Sequence, residues 1–174
     1  MSSSQGTTRS SGAVGHGVHV SWHHASDDAD QALREQVALV TGTEQGSVEV
    51  GRLCARCGRD EHGRPWASHG VHVSLARSGP HLVTAVSTSG PVGIDVESVM
   101  AVDGAWADLT ALLDPGLVPA GDGRAAWWCR LEAALKRDGV GLSGQIDLTR
   151  LDRGFVDDVE APPGYCAAIA VGGP

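Results

Sequence analysis

A short run, Val92-Gly93-Ile94-Asp95-Val96-Glu97, constrains this chain more than any other feature. Val92, Ile94 and Val96 alternate with Gly93, Asp95 and Glu97, which is the period of a β-strand, so Asp95 and Glu97 share one face. Two carboxylates side by side in an otherwise apolar strand repel each other unless a proton or a cation sits between them. A second run, Trp128-Cys129-Arg130-Leu131-Glu132-Ala133-Ala134-Leu135-Lys136, reads as a helix on which Glu132 and Lys136, four residues apart, share a face. Lys136 is the sole lysine, the rest of the 13 basic residues being arginines. Three carboxylates and one ammonium make a reasonable Mg²⁺ and phosphate site.

The remainder alternates between strand and helix patterns. Residues 17–22 read as an opening strand, and His19, His23 and His24 follow an edge-strand, surface pattern. Asp27, Asp28 and Asp30 are cap candidates for a helix through Val40, ended by Gly42, with Leu33, Val37 and Val40 as its apolar stripe. A strand over 47–53 leads into a loop over 54–65. Strands over 71–75 and 82–87 flank a Ser-Gly-Pro turn. A helix over 106–113 stops before Asp114-Pro115, and Asp122 caps the Glu132 helix, which ends at Gly139. Of the adjacent Trp127 and Trp128, one belongs to the core and the other is partly exposed. Strands over 145–148 and 165–171 close the chain. The expected class is α+β, with strand, helix, strands occurring twice.

Composition sets outer bounds. With 174 residues and a net charge of −8, the chain is long enough for one full core or two small ones, and its acidity disfavours nucleic acid as a partner. No apolar run approaches the roughly 18 residues of a membrane span. Residues 1–13 lack an apolar signal core and read as a disordered tail, so a cytoplasmic protein with reduced cysteines is expected. The organisation expected beyond the tail is two halves, 14–91 and 92–174, the second carrying the carboxylates.

The order of the pieces resembles the 4′-phosphopantetheinyl transferases of the surfactin-synthetase-activating (Sfp) type. Residues 92–97 resemble that family's (V/I)-G-(V/I)-D-(V/I)-E strand. Trp128 to Lys136 resembles its W-x-x-K-E-(A/S)-x-x-K helix, and Gly139-Val140-Gly141-Leu142 its G-x-G-L tail. His62-Gly63-Arg64-Pro65 is similar to its G-K-P turn, Val73 to Gly79 to its N-(I/L)-S-H-S-G strand and loop, and Pro163 to Ala170 to its closing strand. The resemblance spans about residues 50–172. It implies a pseudo-twofold fold of two similar half-domains with the site between them, acting as a monomer. The implied reaction is Mg²⁺-dependent transfer of the 4′-phosphopantetheine arm from coenzyme A to a serine of an acyl- or peptidyl-carrier protein. It further implies Asp95, Glu97 and Glu132 as metal ligands, and Asp95, Glu132 and Lys136 as catalytic residues. Arg64, Pro65, Arg77, Lys136 and Arg34 would bind coenzyme A, with Glu132 or a metal-ordered water as the base.

Two positions depart from the pattern. Arg77 replaces the loop histidine and retains a bidentate positive charge. Leu131 replaces the lysine before Glu132 and makes no phosphate contact, and Arg130 points about 100° away on a helix. Lysine at 131 is expected to strengthen transfer or coenzyme A binding. The second half is also short near 114–123 and 150–162. These departures motivate an alternative reading, a transferase-like scaffold that has lost this activity and serves another catalytic or binding role. Finally, Cys54-Ala55-Arg56-Cys57, followed by His62 and then His69 or His72, carries zinc-ligand types, but its spacing matches no standard finger. A loop with incidental thiols is the expected reading there.

Overall fold

Two of the three helices among the described residues begin at a side-chain cap. In the computed structural model, which describes residues 11–15, 17–111, 113, 118, 123–140 and 146–173, helix α1 spans Ala29–Thr41. Asp28 caps it by accepting from the amides of Asp30 and Gln31, and Gly42 closes it in the left-handed conformation. Helix α2 spans Val99–Thr110, with Ser98 Oγ accepting from Ala101 N, so it begins directly after the carboxylate strand rather than at Trp106. Helix α3 spans Arg124–Arg137. Its expected cap Asp122, the Asp114-Pro115 stop and Gly141-Leu142 of the tail motif lie outside the described residues, and Gly123 occupies the N-cap.

The architecture is mixed α+β, with three helices and three small antiparallel sheets among the described residues. The first sheet has the order β1-β2-β6-β5, formed by Ser11–Val14, Val18–His24, His81–Ser87 and His72–Ser78. A hairpin of β3, Val50–Leu53, and β4, Arg64–Ala67, is the second. The third has the order β7-β9-β8, formed by Val92–Ser98, Tyr165–Val171 and Phe155–Val159.

Several expectations change. Residues 11–13, counted with the tail, belong to β1, which pairs with β2 from Ser11 opposite Ser21 to Val14 opposite Val18. With β1 on its outer side, β2 is an inner strand over residues 18–21; beyond that stretch His23 is buried with Nε2 3.0 Å from Thr84 Oγ1 of β6 instead of lying on the surface. The strand expected over 47–53 divides into a 3₁₀ turn, Gln45–Ser47, and β3. Arg64 and Pro65, read as loop, open β4. The strand expected over 145–148 is not formed: Leu148–Asp152 is a 3₁₀ turn, and Gln145 lies outside the described residues.

Alternation on β7 determines how the layers stack. Val92, Ile94 and Val96 join Val18, Val20, Ala76, Val83, Ala85, Ala167, Ile169 and Val171 in one core shared by the first and third sheets. Helix α1 covers the other side of the first sheet with Leu33 and Val37. On the opposite face of the third sheet, Cys129, Ala133 and Ala134 of α3 pack on Ala168 and Ala170 of β9. The two sheets also meet at a seam, where Ser74 Oγ accepts from Ile94 N at 3.1 Å and Ser78 Oγ from Ser98 N at 3.2 Å. These hydroxyls satisfy amides of edge strand β7 that its own sheet leaves unpaired.

Gly93 sets the distance of α3 from β7. A Cβ there would collide with Ala133 O and Arg137 N, both backbone atoms of the helix. Gly93→Val is therefore expected to destabilise the protein by roughly 3 kcal/mol or more, as overpacking against atoms that cannot move aside. Urea denaturation checks this; a loss below about 1 kcal/mol would show that α3 shifts freely.

Candidate active site

Strand β7 and helix α3 bring Asp95, Glu97, Glu132 and Lys136 to one place. Asp95 and Glu97 lie on the face of β7 that Gly93 opens to the helix, and Glu132 and Lys136 are one turn apart on α3. Lys136 Nζ donates to Asp95 Oδ1 at 2.6 Å and to Ile94 O at 3.1 Å. Glu97 Oε2 accepts from Ser78 Oγ at 3.1 Å, so the seam serine also orients a site carboxylate.

One ammonium faces three carboxylates, and the imbalance appears in their proton affinities. Burial, opposed by Lys136, holds the Asp95 carboxyl above its ordinary range. Glu97 is raised by burial and then by the charge of Asp95. Glu132 is raised from 4.5 to about 7, first by burial and then by Asp95, with Lys136 acting in the opposite direction. Asp95 is 4% exposed, and its Oδ2 has no N–H or O–H partner; the polar group beside it is the Cys129 thiol, which donates to Cys166 O at 3.3 Å.

An all-oxygen donor set with an enclosed, unpartnered carboxylate oxygen fits a hard cation such as Mg²⁺ in chemistry. In the described geometry, however, one oxygen from each of Asp95, Glu97 and Glu132 does not fall within a common 4.8 Å; among the described residues Cys54, Cys57 and His62 form the one group that does. Asp95 Oδ1 is held by Lys136, whereas Oδ2 is enclosed and has no hydrogen-bond partner.

The remaining cations expected at the site are engaged elsewhere, and Lys136 is the one cation acting on the three carboxylates among the described residues. Arg64 Nη2 donates to Arg137 O at 3.0 Å, at the end of α3, and Pro65 pairs with Arg52 across the β3–β4 hairpin. Arg77 Nη2 donates to Asp27 O at 2.9 Å, at the start of α1. Arg34 lies near the same helix start, where both arginines lower the proton affinity of Asp28 behind its two backbone hydrogen bonds. Ser74, Ser78 and Cys129 were not singled out from the sequence. Both serines stand in the stretch resembling the family's strand and loop, but nothing local shows that their hydroxyls reach another sheet.

The thiols of the β3–β4 loop differ from that buried cysteine. Burial drives the proton affinity of Cys129 well up. The amides of Cys57 and Arg56, followed by the Cys57 side chain, bring Cys54 down to about 7.

Leu131 does not face the carboxylates. It is 0% exposed and packs with Val102, Leu113, Trp128 and Leu135 between α2 and α3. Trp128 shares that core, while Trp127 is half-buried with its ring edge-on to Trp106 at 6.0 Å. Nor does Arg130 supply the missing charge, because it makes a bidentate pair with Asp158 of β8 at 2.8 and 2.6 Å. Comparison with known proteins adds no identity: neither a protein-family model nor a curated protein matches this chain.

Two predictions follow from this geometry. Leu131→Lys should not strengthen phosphate binding but should destabilise the fold by about 3 kcal/mol or more, since it places an unpaired charge in a closed core. An unchanged urea midpoint would refute the packing. The second concerns pH. Glu132 binds its proton more tightly in the folded protein than at its ordinary 4.5, so between pH 4.5 and about 7 the folded state carries the extra proton. Stability is then fully present below 4.5 and is lost as pH rises through about 7. In metal-free buffer the loss should be roughly 1–3 kcal/mol, and Glu132→Gln should remove most of the slope. A flat profile in the wild type would count against the buried carboxylate cluster.

Proposed function

We propose that the chain is a 4′-phosphopantetheinyl-transferase-like enzyme that moves the phosphopantetheine arm of coenzyme A to a serine of an acyl- or peptidyl-carrier protein. The observation that carries this reading is the gathering of Asp95, Glu97 and Glu132 around Lys136. The sequence resemblance assigns those four residues to metal and phosphate. A pseudo-twofold fold of that kind is part of the proposal; strands flank one helix in the first half and two helices in the second. Among the described residues no helix is long and apolar enough to cross a membrane, which accords with a carrier protein met in solution.

Asp95, through Oδ2, with Glu97 and Glu132 would hold Mg²⁺, which when bound offsets negative charge on the pyrophosphate of coenzyme A. The carrier serine oxygen attacks the β-phosphorus, and the bond from that phosphorus to the bridging oxygen breaks. Adenosine 3′,5′-bisphosphate leaves with the electron pair. The serine proton would pass to Glu132 or to a metal-ordered water. Lys136 braces the departing phosphate. Arg77 and Arg34 at the start of α1, with Arg64 and Pro65 at the end of α3, are the proposed contacts to the rest of coenzyme A.

A specific observation favours a second reading. Leu131 is enclosed and Arg130 is held by Asp158, so this helix supplies Lys136 and no second cation to the phosphates. A scaffold that retains the pocket for another catalytic or binding role would look the same.

The test is to incubate the chain with coenzyme A, Mg²⁺ and apo-carrier proteins and to follow the carriers by intact mass. Addition of the arm is expected, as is Mg²⁺ binding that tightens when coenzyme A is present. Asp95→Ala should abolish both with the fold retained. Coenzyme A binding without any mass gain would favour the scaffold, and equal Mg²⁺ binding by wild type and Asp95→Ala would remove the metal assignment.

A further inference from the structure

The β3–β4 loop, which plays no part in the proposed transfer, holds a second group of metal-ligand side chains. Cys54 Sγ, Cys57 Sγ and His62 Nε2 all lie within 4.8 Å of one another, although the sequence spacing suggested incidental thiols. His69 is turned away, with its Nε2 3.2 Å from Ser47 O, and His72 stands exposed at the start of β5.

We propose that Cys54, Cys57 and His62 bind Zn²⁺, with the fourth coordination position facing solvent. Cys57 Sγ and His62 Nε2 are 3.3 Å apart. Zinc bonds of about 2.3 Å to sulfur and 2.0–2.1 Å to nitrogen at a tetrahedral angle place the two ligand atoms about 3.5 Å apart, so the pair is already close to coordinating geometry. Two thiolates and a neutral imidazole balance the charge of the ion, and the sulfur and nitrogen donors select zinc over magnesium or calcium.

The loop backbone is shaped around this group. The amides of Arg56 and Cys57 both point at the Cys54 sulfur, which places fixed donors where a metal-bound thiolate accepts them. Cys54 N donates to Arg59 O at 2.9 Å and Gly58 N to Cys54 O at 2.8 Å, folding 54–59 into a tight turn. Gly63 has φ +108°, and a Cβ there would stand 2.5 Å from the Cys54 backbone, so only glycine lets the returning strand bring His62 back over the thiols. Cys57 and His62 are exposed, which gives an ion direct access and leaves its fourth position to water. Three protein ligands with an open position define a site able to accept a further donor.

The test uses the full chain, purified reduced and without chelator, with zinc measured by elemental analysis and by release to a colorimetric chelator. Stoichiometric zinc is expected, and Co²⁺ in its place should show the thiolate charge-transfer and visible bands of a tetrahedral sulfur site. Cys57→Ser and His62→Ala, both at exposed positions where folding is not at stake, should lose the ion in chelator competition. His72→Ala should retain it. Zinc uptake unchanged by Cys57→Ser, no uptake by the reduced wild type at saturating zinc, or a Cys54–Cys57 disulfide as the resting form would each overturn the proposal.

Discussion

The close approach of α3 to β7 is the constraint on which the rest of the structure depends. Gly93 on the strand and alanines on the helix and on β9 allow the two backbones to touch. At that separation a single lysine reaches both Ile94 O and Asp95 Oδ1, and Glu132 falls one turn away over the same strand. A buried ion pair is a weak source of stability, because desolvation of both charges offsets their attraction. The pair instead fixes register: slide α3 by a turn and Lys136 loses both acceptors while Gly93 no longer faces a gap.

Much of this geometry was legible in the sequence. The alternation over 92–97 gave β7 and its two faces, and the Asp28 and Gly42 signals gave both ends of α1. Two periodicities paired Asp95 with Glu97 and Glu132 with Lys136, and the meeting of the two pairs was what the family resemblance implied. What failed was what depends on partners distant in the chain. Strand β8 has no counterpart among the expected strands; Asp157 and Asp158 interrupt its apolar pattern, and Asp158 pairs with Arg130 of α3. His23 looks like a surface residue until Thr84 of β6 is placed beside it.

Leu131 shows how a motif comparison can mislead about a direction in space. Trp128, Leu131 and Leu135 are spaced three and four apart, the stripe of a helix packed on another apolar surface, and here that surface is α2. Glu132 and Lys136 belong to the neighbouring face over β7. The apolar residue at 131 is therefore explained by packing alone, whatever chemistry the adjacent face performs. The carboxylates show the opposite case. Burial raises Asp95, and burial followed by the charge of Asp95 raises Glu97 and Glu132, so the three carboxylates are not explained as packing. A divalent cation competing with the proton on Glu132 would relieve the same repulsion, which makes metal and proton alternatives at one place.

The end of α3 joins this site to the thiol loop. Arg137, 2% exposed, donates to Arg150 O and Arg153 O, and Asp138 accepts from Arg150, so the segment before β8 is clamped to the last helical turn. On the other side Arg64 reaches Arg137 O from the strand that leaves the loop of Cys54, Cys57 and His62. A path of contacts carries regulation only if some element along it has two arrangements. Here the element in the middle is held from both sides, and Arg137 is enclosed by acceptors that its guanidinium satisfies together. A metal at the loop would thus order the β3–β4 hairpin and the placement of Arg64, whereas the Lys136–Asp95 pair, set by the backbone contact at Gly93, stands independently of it.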